Sequence, residues 1–115
     1  MEPIPYFYDM INRNAIVVKT KQPFLDWVNS LTPDDPTTGN EEGNIYLIKE
    51  KDNNEAIARW LSRNFDKIFV NELNDWWVDE KDWPKKRTFK IFKEWFDFEI
   101  HSMVLDMEDE DIIKD

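Results

Sequence analysis

The chain contains no cysteine. That excludes disulfides, thiol chemistry and cysteine-ligated metals, and it suits a reducing compartment. Only two glycines occur, Gly39 and Gly43, both in one polar stretch. A phosphate-cradling loop needs several glycines around a turn, so neither a P-loop nor a dinucleotide fingerprint can be built. No apolar run approaches the roughly 20 residues that a bilayer-spanning helix needs. The first residues, MEPIPYFYDMINRN, lack the basic start and long apolar stretch of a secretion signal. The expectation is a cytoplasmic protein without membrane association.

What is present fits one domain. The length is 115 residues, 41% of them apolar and 15% aromatic, enough to bury a core. The net charge is −10 and uneven. The last ten residues, DMEDEDIIKD, hold six acids and one lysine and read as a flexible acidic tail over 106–115 behind a domain of residues 1–105. Residues 85–93, KKRTFKIFK, carry five positive charges and no acid. The negative total argues against nucleic-acid binding, where phosphate neutralisation dominates affinity.

AIVV (15–18) and IYLI (45–48) read as buried strands. Between them, Pro23 suits a first helical turn, and Phe24, Trp27, Val28 and Leu31 fall on one face. TPDDPTTGNEEGN (32–44) is a polar loop. Asp52 with Glu55 has the spacing of a capping pair, with Asn53 or Asn54 as alternatives. A long helix over about 55–77 follows. Its apolar residues Ile57, Leu61, Phe65, Phe69, Leu73 and Trp77 recur every four positions. At 100° per residue each step of four overshoots a turn by about 40°, so the stripe rotates by about 200°. The two ends should therefore face different neighbours, or the helix should bend. Trp83-Pro84 breaks the chain, Thr88 can cap a short helix FKIFKEWF, and FEIHSMVL (98–105) reads as a third strand. The predicted order is β-α-β-α-α-β: an α+β (or small α/β) single domain, a three-stranded sheet covered by helices. The first two strands are expected to be parallel, joined by a right-handed crossover. The direction of the third is open.

QPFLDW, IYLI, the WP step, FKEWF and HSMVLD, over roughly residues 14–107, resemble a family of small bacterial proteins of unknown function. The resemblance implies no activity, ligand or catalytic residue.

Four of the six tryptophans lie within residues 74–96. Neighbouring Trp76 and Trp77 point 100° apart on a helix, so one partner cannot easily bury both. With Trp83 they form a candidate binding surface, since tryptophan is enriched in interface hot spots. Filling a core is the commoner fate of large aromatics. Lys86 and Arg87, in the island with Lys85, Lys90 and Lys93, can meet a phosphate-bearing or acidic partner; a solvated helix face or a contact with the acidic tail is the plainer explanation. His101, the one histidine, shares a strand face with Glu99, as a general base would, while Ser102 points the other way. A hydrogen-bonded structural histidine is the plainer reading. The tail acids lack the spacing of a calcium loop, so no metal or cofactor is expected.

Three functions follow from this. The preferred one is a non-enzymatic interaction protein using residues 76–95 on a protein partner or on a second copy as a dimer. The second is a small enzyme or ligand-binding domain with His101 in a pocket. The third is an acidic inhibitor or immunity-type protein that presents carboxylates to a basic target.

Overall fold

The computed structural model describes residues 9–39 and 42–114. The reading of residues 1–8 and two positions of the polar loop, 40 and 41, lie outside the described residues. The elements are β1 (Asp9–Met10), β2 (Arg13–Thr20), α1 (Gln22–Leu31), β3 (Asn44–Lys49), α2 (Asn54–Trp76), a 3-10 turn (Glu80–Asp82), α3 (Phe89–Trp95), β4 (Phe96–His101) and β5 (Leu105–Asp106). The fold is α+β, as the sequence pattern predicts. Among the described residues, no helix is long and apolar enough to cross a membrane.

The helices begin where local chemistry lets them. Pro23 occupies the first turn of α1, where its missing N–H costs nothing. Asn53, rather than the Asp52–Glu55 pair, caps α2: its side chain accepts from the Ala56 amide at 2.8 Å. Thr88 caps α3 through the Ile91 amide at 3.2 Å. The predicted short helix ends one residue early. Phe96 still donates its amide to Phe92 but has φ −137° and ψ 142°, so it closes α3 and opens β4 at once. The third strand thus runs from Phe96 to His101 rather than over 98–105. Val104 lies beyond it. The chain then pairs Leu105–Asp106 with Asp9–Met10, which carries regular structure one residue into the acidic segment.

The sheet order is β3-β2-β4, and both outer strands run antiparallel to β2. The expected parallel crossover does not form. Strand β3 starts beside the end of β2, with Val18 opposite Asn44. α1 and the polar loop therefore make an excursion that returns to the same end of the sheet. Antiparallel pairing lets the chain re-enter where β2 ends, so the connection need not run back along the eight residues of β2, about 26 Å at 3.3 Å per residue.

Helices cover one sheet face. Ile16, Val18, Ile48 and Phe96 point into that layer and are fully or almost fully buried. The rotating stripe of α2 stays inside it. Ile57, Leu61, Phe69 and Leu73 are each 0% exposed. Different parts of α2 meet different neighbours, and both belong to this chain. Glu72 looks to β3, where it bonds Asn44 and Tyr46. Phe65 and Phe69 look to α3, with Phe65–Phe89 rings at 5.7 Å and Phe69–Trp95 at 5.5 Å.

One buried polar residue ties the sheet together. Asn14, 1% exposed, donates to the Ser102 carbonyl at 2.9 Å and accepts from the Lys51 amide at 2.7 Å. It thereby fixes the ends of both outer strands to β2. Asn14→Ala leaves a backbone donor and an acceptor without partners, and we expect it to destabilise the fold by about 1–3 kcal/mol. Urea unfolding measures this, and a loss under about 0.5 kcal/mol would mean that the clamp contributes little.

Candidate interaction surface

The tryptophans near the end of α2 are held by their own chain. The Trp83 ring is 8% exposed and its N–H donates to the Trp77 carbonyl at 2.7 Å. Trp77 is half-buried, and its N–H donates to the Asp82 carboxylate at 3.0 Å. The Asp82 carbonyl accepts from the Trp27 indole, also at 3.0 Å. The 3-10 turn thus acts as a hub for indole N–H groups, and this satisfies the polar handle that makes buried tryptophan costly. Trp76 remains at the surface, 37% exposed, with its ring edge-on to Phe24 at 6.3 Å.

The basic island is divided. Arg87 is half-buried: its Nε donates to Asp66 of α2 at 2.7 Å and its Nη1 to the Pro84 carbonyl at 2.8 Å. It pins the Trp83-Pro84 turn onto α2. Lys93 lies over the Phe89 ring at 4.9 Å. Lys86 is exposed. Among the described residues no ion pair joins this island to the acidic segment. That segment lies elsewhere, across a cleft from residues 11–13 and Leu47.

His101 and Glu99 do share a face of β4, with Nε2 3.3 Å from the Glu99 carboxylate and both side chains more than half exposed. They stand on the sheet face that no helix covers, where His101 lies opposite Ala15. An exposed imidazole beside an exposed carboxylate has neither the burial nor the converging polar groups that tune a general base.

Two features were not foreseen. The first is the burial of Glu72, 3% exposed and bonded through Oε2 to Asn44 Nδ2 and Tyr46 Oη, both at 2.5 Å. Burial pushes its carboxyl above the usual range, the two donors pull it back, and the nearby Asp75 charge adds to the rise. Burial and the Glu72 bond likewise hold the Tyr46 phenol above its ordinary value. A hollow of about 50 Å³ beside Glu72 and Trp76 has room for little more than a water. On a helix carrying many charges, nothing local marks Glu72 as the buried one.

The second is an uncovered apolar surface. IYLI is not buried on both sides: Ile48 is 6% exposed, but Ile45 is 67% and Leu47 46% exposed. Side chains alternate along a strand, and only the Tyr46–Ile48 side has helices over it. The sequence signal was there, since apolar residues on both faces of a strand need cover on both. Among the described residues, the exposed large apolar side chains other than Trp76 and Val78 all lie on β1, β3, β5 or the chain from 103 onward: Met10, Ile45, Leu47, Met103, Leu105, Met107, Ile112 and Ile113.

No protein-family model matches the chain, and searches of curated proteins and of solved structures found no match either.

Proposed function

We propose that this chain is a non-enzymatic interaction domain whose contact surface is the bare side of the sheet rather than the tryptophan cluster. The exposed set around Ile45 and Leu47 carries the reading. Ile45 and Leu47 share the bare sheet face, and Leu47 shares a cleft with Met107 and Ile112; exposed apolar side chains gathered in this way mark contact sites. Met107, which lines that cleft, adds a flexible side chain that adapts its shape. By contrast, the indoles of Trp77 and Trp83 are spent on internal hydrogen bonds. The cysteine-free composition supports a cytoplasmic setting for such contacts.

A photo-crosslinking amino acid tests the surface. Placed at Leu47 in the full chain and irradiated in cells, it should give a discrete adduct of higher mass. Placed at Arg59, on the exposed face of α2, it should give none. Equal labelling at the two positions, or none at Leu47, would remove the support for this surface.

A further inference from the structure

The edge of β3 narrows the chemistry of the partner, and this inference rests on the interaction reading. Among the described residues β3 pairs only with β2. The Glu50 amide donates inward to the Asn12 carbonyl at 3.3 Å. Bonding direction alternates along an antiparallel strand, so Ile48, Tyr46 and Asn44 also bond inward. Ile45, Leu47 and Lys49 then direct their N–H and C=O groups off the free edge. An unpaired edge is a template for another strand. Here the residues with outward backbone groups include the two most exposed apolar positions of the sheet.

Charge decides what fits. Leu47 also lines the cleft of about 740 Å³ whose far wall is the acidic segment. That cleft sets Asp106, Glu108, Asp109, Glu110 and Asp111 against one cation, Arg13. Arg13 is held locally, donating to the Asn12 carbonyl and side chain at 2.9 and 2.8 Å. A second copy would bring the same acidic wall and a net charge of −10. A nucleic acid would bring phosphates. Both are repelled where a basic segment is drawn in.

We propose that the free edge of β3 takes an extended, basic segment of another protein as an added strand. Six residues match the length of β3. Its apolar side chains cover Ile45 and Leu47, and its lysines or arginines reach the carboxylates across the cleft.

The probe is an end-blocked octapeptide, Lys-Thr-Val-Thr-Val-Thr-Lys-Thr, whose valines and lysines share one strand face, titrated into the isotope-labelled full chain and followed by amide shifts and fluorescence anisotropy. Shifts should gather at residues 45–49 and 11–13. Neutralising Asp109, Glu110 and Asp111 together should weaken binding at least tenfold. Neutralising Glu55, Glu80 and Glu94 instead, at the same net charge, should change it less than twofold. The same peptide with its threonines replaced by proline keeps the charge but lacks half the strand donors, and it should bind at least tenfold more weakly. The inference is overturned by equal loss in the two neutralised variants, by equal binding of the proline peptide, by shifts spread over the surface, or by no binding. It also falls if the Leu47 crosslink captures a second copy or a nucleic acid, although the interaction reading then stands. Failure of the Leu47 crosslink removes that reading itself.

Discussion

Phe69→Ala should lower the unfolding free energy by about 3–5 kcal/mol, the usual cost of emptying a phenylalanine site in a core. Phe69 is fully buried and touches three rings, Phe92 at 6.0 Å, Trp95 at 5.5 Å and Phe96 at 5.2 Å, the last edge-on at 85°. These come from the end of α3 and the start of β4, so the site joins helix layer to sheet. The cavity cannot close without moving both. For a domain of this size the melting temperature should fall by about 10–20 °C. Phe98→Ala, at a half-buried position on β4, should cost clearly less. A loss below about 1 kcal/mol at Phe69 would contradict the packing described for α2 against α3.

Glu72 gives the second large effect, and the two informative variants differ in what they keep. Glu72→Leu removes the acceptor for Asn44 and Tyr46 and should cost about 1–3 kcal/mol, because both hydrogen bonds are partly buried and Tyr46 is half-buried. Glu72→Gln retains an acceptor oxygen but cannot ionise. Burial holds the Glu72 carboxyl above its usual range, so the folded chain binds this proton more tightly than the unfolded chain does. Its contribution is fully present below the ordinary glutamate range and is lost as pH rises through the folded value. The stability of Glu72→Gln relative to the natural chain should therefore increase with pH above the ordinary glutamate range and then level off. Chemical denaturation of both proteins at a series of pH values measures this difference and cancels the titration of other carboxylates. A flat difference, or one that falls with pH, would mean that the hydrogen bonds from Tyr46 and Asn44 outweigh the desolvation.

Much of the fold could be read locally. The helix over about 55–77 is seen at Asn54–Trp76, and Thr88 caps α3 as its position suggests. Such features depend on residues within one or two turns of each other. The rotation of the α2 stripe was also legible, but not its outcome. The geometry required neighbours on more than one side or a bend, and only the fold showed that β3 and α3 both flank α2. The buried glutamate was hidden for a related reason: Glu72 meets Asn44 and Tyr46, which are 28 and 26 residues away.

The sequence by itself determined where the helices start, which residues are apolar enough to form a core, and that no thiol or glycine-rich phosphate site can exist. Only the tertiary structure decided the strand directions and which face of the sheet stays bare. The reason is one of range. Caps and periodicities are set by neighbours along the chain, whereas the exposure of Ile45 and Leu47 depends on which elements come to lie over β3. Ala15, which joins Leu47 on one side to His101 on the other, illustrates this: its partners lie 32 and 86 positions away.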